Sequence, residues 1–335
     1  MLCLQILSSV DLQSEHVVTS HLPVDGARQP KFCRESEEYM AAARQLLALL
    51  KRNAPIGPQT EEKLSKCISE ALENPGGLFR AELAHRMAEG FGLPRRLSDS
   101  IACASEYFHI ASLLLDDLPA MDDSMERRGR ICPHLLYGEG TAILAALGLI
   151  TRAYALLGES ITLAPSQSQQ PAHECIERCL GTRGIVNGQA RDLASPKEAR
   201  GGRYAATVAL QKTVPLIALP LLLPALIAGA GADAILELRR LAVYWGLFYQ
   251  GVDDLIDILA PTRFSGKTSG RDQSLGRPSI ARELGIDGAG CYLDRLSRIS
   301  EGSVKRLGAD YPGLKFLTDF HFRLARRRNA VPIPG

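Results

Sequence analysis

From about Ser36 onward, apolar residues recur every three or four positions, and the runs are separated by short stretches of Gly, Pro and Ser. That period puts apolar side chains on one face of an α-helix, whereas a half-buried strand needs strict alternation, which is scarce here. The pattern predicts helices over residues 44–50, 83–88, 101–117, 142–157, 175–187 and 234–257. Turn-forming residues predict loops at 53–58, 74–77, 163–172 and 260–277. No repeat of fixed period is present, and no shift in composition marks a boundary within the helical part. The expectation is an all-α fold with one domain, residues 36–335, after a poorly ordered leader, residues 1–35. That leader has a short apolar start but neither a basic segment nor a cleavage site of the secretory kind.

Composition alters this picture little. Apolar residues make up 46% and charged residues 23% of the 335, enough apolar surface for a sizeable core. A formal net charge of +2 gives no electrostatic footprint for nucleic acid. Eight scattered cysteines lack the dense spacing of a secreted disulfide scaffold, so a reduced, cytoplasmic setting is expected. His173, Cys175 and Cys179 are close in sequence but have no second ligand pair, which makes their proximity a matter of helical spacing and not of zinc. Val214 to Ala232 is uncharged over nineteen residues. Pro215, Pro220, Pro224 and two glycines interrupt it, so it is read as a buried core helix and not as a membrane span.

The candidate chemistry lies in two acidic segments, Asp116-Asp117-Leu118-Pro119-Ala120-Met121-Asp122-Asp123 and Asp253-Asp254-Leu255-Ile256-Asp257. Each follows an apolar run and so ends a core helix. Pro119 stops the first helix, and the resulting bulge brings Asp122 back toward Asp116. Asp253 and Asp257 need no such device, being four apart on one helix face. Clustered carboxylates repel one another unless cations arrive. Magnesium suits them, because it takes one or two carboxylates together with water and substrate phosphate oxygens, and this points to a diphosphate substrate. Basic residues accompany both segments: Arg127 and Arg128, Lys212 beside Thr213, and Lys267 beside Thr268.

These segments resemble the two aspartate-rich motifs of the trans-isoprenyl diphosphate synthases. Residues 109–129 match the first motif in its form with a two-residue insertion, and Phe248 to Asp257 match the second. Gly188-Gln189-Ala190-Arg191-Asp192-Leu193, Lys212-Thr213 and Gly266-Lys267-Thr268 fall in the family's order. The resemblance spans roughly residues 40–300, with bacterial geranylgeranyl diphosphate synthases as the nearest subgroup. It implies a single-domain helical bundle with a deep central cavity, three Mg²⁺ ions, and isopentenyl diphosphate and an allylic diphosphate as substrates. It further implies a homodimer. Asp116, Asp117, Asp122, Asp253 and Asp257 would be metal ligands, with Asp254 a further candidate. Arg127, Lys212, Gln250 and Lys267 would hold the allylic diphosphate, and Thr213 would steady the cation. Arg80, His109 and Arg128 would face isopentenyl diphosphate.

Two positions depart from the family pattern. In Pro75-Gly76-Gly77-Leu78-Phe79-Arg80, Gly77 stands where the family carries a lysine for isopentenyl diphosphate, and Ala146-Leu147 replaces a frequent Gly-Asp. The missing charge leaves open weaker binding of the second substrate, a transfer of its work to Arg128 and the Arg326-Arg327-Arg328 cluster, or loss of elongation. Product length in the family is set on the helix before the first motif. The small Ala111, five positions before Asp116, and its neighbour Ser112 leave room for a twenty-carbon chain, with Phe108 as the floor. Two other readings remain open: a class I terpene synthase that cyclises the same cation, and a non-catalytic partner of a prenyl synthase.

Overall fold

The computed structural model describes residues 30–194, 202–259 and 276–329, with side chains for 40–194, 203–259 and 276–329. Among these residues every regular element is a helix except for one antiparallel ladder, β1 (Glu126–Arg127) with β2 (Arg130–Ile131). Four helices precede it: α1 (Pro30–Asn53), α2 (Glu62–Glu73), α3 (Phe79–Gly90) and α4 (Arg95–Asp116). After it come α5 (Pro133–Tyr137), α6 (Glu139–Thr162), α7 (Ser166–Leu180), α8 (Ile185–Leu193), α9 (Gly202–Lys212), α10 (Pro215–Ile227), α11 (Ala232–Leu259), α12 (Ile280–Asp310) and α13 (Leu317–Asn329). A single 3₁₀ turn, Pro312–Leu314, joins the last two.

Two helices form the axis of the core. On α4 every residue from Ser100 to Ala111 is buried, because apolar and small residues surround the helix on all sides. It packs against α3 and α6. On α11 the run Leu241 to Phe248 is likewise enclosed, and this helix packs against α10 and α12. A helix that is apolar all round belongs in the interior, and both deliver their aspartates where that interior opens.

The uncharged stretch after Lys212 forms α10, which begins with Pro215 at its first turn and is buried at every position but Leu226. It is a core helix of the bundle, as its composition led one to expect. Among the described residues a single helix, α6, is long and apolar enough to cross a membrane by length and composition. One side of it is buried against α4 and α2.

Three boundaries differ from the sequence reading. The first described helix starts at Pro30, ahead of Ser36. The expected loop 163–172 is short, because α7 begins at Ser166 and runs through Pro171, with Ser168, Ala172, Cys175, Ile176 and Cys179 buried along one side. The expected helix 175–187 is broken between Leu180 and Ile185. A Cβ on Gly184 would lie 2.2 Å from the Cys179 carbonyl oxygen, so only glycine lets the chain turn that tightly.

Candidate active site

A cavity of about 670 Å³ opens between α4, α8, α9 and α11, and α13 reaches it from the side. Asp116 and Asp122 line it at the end of α4 and the turn that follows, and Asp253 and Asp257 line it from α11. The first pair is brought together by the turn after α4. Pro119 cannot extend the helix, and the Asp122 N–H instead donates to the Asp116 carbonyl at 2.9 Å. The second pair is one helical turn apart on α11.

Each of these carboxylates already meets a donor. Gln189 Nε2 donates to Asp116 Oδ1 at 2.6 Å, and Arg277 Nη2 donates to Asp122 Oδ1 at 2.9 Å. Arg327 Nη2 donates to Asp253 Oδ1 at 3.0 Å, and Arg282 lies 3.5 Å from Asp257. Lys212 Nζ donates to Asp192 Oδ2 at 2.6 Å. Burial opposes the charge on Lys212, yet Asp116, Asp192 and Asp122 outweigh it and hold the ammonium above its usual range. The close fit behind this arrangement depends on Gly188: a Cβ there would sit 2.2 Å from the Gln211 carbonyl carbon. That approach lays α8 on α9 and so sets Gln189 and Asp192 beside Lys212.

The middle aspartate of each segment behaves differently. Asp117 is 2% exposed and does not line the large cavity. It accepts from Arg127 Nε at 2.8 Å and Nη2 at 2.6 Å, and this carboxylate raises the arginine's pKa against the effect of burial. Arg127 itself lines the large cavity, whereas Asp117, expected as a metal ligand, sits behind it and is engaged by its guanidinium. Asp254 reaches the cavity edge, but its Oδ2 accepts from the Ile280 N–H at 2.6 Å, where α12 begins, and its Oδ1 from Gln250 Nε2 at 2.8 Å. Gln250 in turn accepts from Thr213 Oγ1 at 2.6 Å. Thr213, Gln250 and Asp254 form a chain that fixes the junction of α9, α11 and α12.

Arg80, His109 and Arg128 line the same cavity. Arg128 Nη1 donates to the Asn74 carbonyl at 2.8 Å, and its guanidinium lies directly over Gly76, where a Cβ would come within 2.5 Å of it. Behind them Glu106, buried, accepts from the Ala81 N–H at 3.0 Å. Burial pushes its carboxyl up, against the pull of Arg80, this N–H and Arg128. A Cβ on Gly77 would meet nothing within 4 Å, so the place expected to hold a lysine is open.

Of the three residues expected to set chain length, two line the cavity. Phe108 and Ser112 line the cavity with Ile150, but Ala111 is wholly buried in the packed core and forms no part of the wall. Lys267 lies outside the described residues. Gln189, Asp192 and Arg277 carry site contacts for which no role was read from the sequence, and Arg327, read there only as part of a C-terminal arginine cluster, bonds Asp253. Gln189 and Asp192 are three apart in a quoted motif, a spacing that could have marked them as one helix face.

Among the described residues no three acidic, histidine or cysteine side chains converge into a ready-made metal cage. Carboxylates arriving from two segments suit a cation that takes few protein ligands and completes its shell with water and phosphate oxygens. The donor set therefore fits magnesium bound together with a diphosphate.

Residues 61–289 match the polyprenyl synthetase family. The chain belongs to that family. It is 31% identical over 273 residues to the heterodimeric geranylgeranyl pyrophosphate synthase large subunit 2 of Arabidopsis thaliana, covering 80% of this chain and 71% of the relative. It is 34% identical to geranylgeranyl pyrophosphate synthase 3, chloroplastic, of the same plant, covering 74% and 69%. Among solved structures, the geranyltransferase of Helicobacter pylori complexed with magnesium and isoprenyl diphosphate superposes with a TM-score of 0.75 at 23% identity, covering 90% of this chain and all of that one. That likeness shows the fold of this polyprenyl synthetase family member, an isoprenoid synthase bundle.

Proposed function

We propose that this protein condenses isopentenyl diphosphate with an allylic diphosphate, farnesyl diphosphate foremost, to give geranylgeranyl diphosphate in a Mg²⁺-dependent reaction with three ions. The observation that carries the reading is the facing set Asp116, Asp122, Asp253 and Asp257 around one large cavity, with Lys212, Arg277, Arg282 and Arg327 among them. Magnesium, when bound, supplies positive charge to the leaving diphosphate as the carbon–oxygen bond breaks. Those four aspartates would hold it. Arg127, Lys212, Gln250 and Lys267 would hold the allylic diphosphate oxygens, and Thr213 would steady the cation. The double bond of isopentenyl diphosphate, held near Arg80, His109 and Arg128, then attacks the allylic carbon, and loss of a proton completes the new chain. Ser112 leaves the apolar end of the cavity open, and Phe108 would set its floor.

The decisive assay is incubation of the purified protein with Mg²⁺, isopentenyl diphosphate and farnesyl diphosphate. Geranylgeranyl diphosphate is the expected product, and its absence sinks the reading. A cyclising terpene synthase would consume the allylic substrate alone. A non-catalytic partner subunit would consume neither, and all six motif aspartates argue against that role.

The same reading includes a homodimer and a cytoplasmic location. On α6, Ile143, Leu144, Leu147 and Tyr154 are exposed on one helix and form a contiguous apolar surface suited to a second copy. The six described cysteines are free thiols, in keeping with a reducing compartment, although relatives include chloroplastic and mitochondrial proteins. Light scattering and cell fractionation test the two points.

A further inference from the structure

The second-substrate end of the cavity has two arginines, Arg80 and Arg128, but no lysine at Gly77. A third guanidinium comes from the opposite end of the sequence. Arg327 of α13 lines the same cavity, and its guanidinium carbon lies 4.1 Å from the centre of the Tyr249 ring. Arg80 lies 5.6 Å from the centre of that same ring. Tyr249 thus gathers two cations, one from α3 and one from α13. Arg80 is 6% exposed, and its Nε has no hydrogen-bond partner among the described residues.

The position of Arg327 is fixed by its own helix. Four residues earlier, Arg323 makes a two-pronged bond to Glu82, at 2.7 and 3.0 Å. Glu82 lies on α3 two residues after Arg80. Leu317, Phe320 and Leu324 are buried on the inner side of α13. The helix is therefore clamped to the element that carries Arg80, and one turn further on Arg327 reaches the Tyr249 ring that Arg80 also approaches.

The ion pair that Arg327 makes is open to solvent. The Arg327–Asp253 pair is 38% and 42% exposed, whereas the Arg127–Asp117 pair is 13% and 2% exposed. An ion pair that open to solvent contributes little and exchanges easily, while the enclosed one does not. A diphosphate offers several anionic oxygens in place of one carboxylate, and a guanidinium binds two of them at once.

We propose that Arg327 supplies the cation missing at Gly77, binding the diphosphate of isopentenyl diphosphate together with Arg80, and gives up Asp253 to do so. The inference rests on the prenyl-transfer reading for the identity of the second diphosphate. It also joins the two ends of the site: the carboxylate that Arg327 releases is one of the four that face the metal position.

The test compares the full-length wild type with Arg327→Ala, Arg327→Lys, Gly77→Lys and the double variant Arg327→Ala/Gly77→Lys. Calorimetry measures binding of isopentenyl diphosphate alone, and steady-state kinetics separate the KM values of the two substrates. Losing hydrogen bonds to a charged group should weaken isopentenyl diphosphate by about ten-fold or more in Arg327→Ala. The KM for farnesyl diphosphate should stay within about two-fold, and Arg327→Lys should fall between. Because the space at Gly77 is open, lysine there should recover most of the lost affinity in the double variant. Equal weakening of both substrates, or unchanged affinity in Arg327→Ala, overturns the proposal. So does failure of Gly77→Lys to restore binding while the melting temperature matches the wild type. A wild type that binds isopentenyl diphosphate without extending a chain sinks the synthase reading instead, and the calorimetric comparison still decides Arg327.

Discussion

The two aspartate segments reach the same cavity by different means and divide their labour in the same way. In the first, a proline-forced turn folds Asp122 back to Asp116; in the second, helix periodicity alone aligns Asp253 with Asp257. Asp116 and Asp122 of the first and Asp253 and Asp257 of the second line the cavity, while Asp117 and Asp254 are buried and bonded to the scaffold. Asp117 takes Arg127, and Asp254 takes the N–H of Ile280 at the start of α12. A run of adjacent aspartates is therefore not one chemical unit. Neighbouring side chains on a helix point about a quarter turn apart, so when one meets the cavity the next must find a partner inside the protein.

The largest effect expected from this division falls on the outer residues. Asp116→Ala or Asp253→Ala should cost about a hundred-fold or more in kcat, the scale of losing one group that stabilises developing charge. Thermal stability should change little, because these side chains stand at an open cavity. Retained activity in either variant would break the comparison at its functional half.

Asp117→Ala should act chiefly on stability. It leaves the buried Arg127 guanidinium without its counter-charge, a loss of about 3–5 kcal/mol in urea unfolding. Combining Asp117→Leu with Arg127→Met should return most of that stability, since an apolar pair can replace a buried ion pair. If the double variant stays as unstable as the single one, the pair is not the anchor described. Asp254→Ala should cost less, about 1–3 kcal/mol, by stripping the acceptor from the Ile280 N–H and from Gln250.

The outer positions were legible in the sequence because spacing and helix ends are local facts. The all-helical bundle was legible for the same reason, and so was the burial of α10, whose composition leaves no polar face. What escaped depends on where distant segments meet. Nothing local says that Arg277 crosses to Asp122 or that Arg327 reaches Asp253, more than seventy positions away. Nor does spacing reveal which of two adjacent aspartates turns inward. The helix break after Leu180 was missed because Gly181 and Gly184 sit within an otherwise periodic run, and the backbone approach that requires Gly184 is tertiary.

Ala111 shows the same limit, and it yields a sharper test on the α4 side of the cavity. Counting back from Asp116 picks out Ala111, but Ser112 and Phe108 form the wall. Ser112→Phe should shorten the product, read by chromatography of the dephosphorylated alcohols. Ala111→Phe should instead overpack the core and cost about 1–3 kcal/mol of stability. A shortened product from a fully stable Ala111→Phe variant would restore the simpler sequence rule.

The smallest expected effect separates the two halves by pH. The second segment leans on α13 through Asp253 and Arg327, and α13 docks by a buried histidine. His321 stacks parallel to Trp245 of α11 at 6.5 Å, with Ser297 Oγ 3.4 Å from its Nε2. Burial lowers its pKa, and Glu301 on α12, the charged neighbour that acts on it, opposes this only in part. A histidine whose folded pKa lies below its unfolded value binds fewer protons when folded, so its contribution to stability is present above about pH 6.5 and is lost as pH falls through the lowered pKa. The melting temperature should therefore decline over that window in the wild type and decline less in His321→Gln. Hydrogen exchange should show the loosening first in α13, with the turn from Asp116 to Ser124 unaffected. Equal loosening at both segments would mean that the two halves of the site share one cooperative unit, and the division drawn between them would then be one of contacts and not of stability.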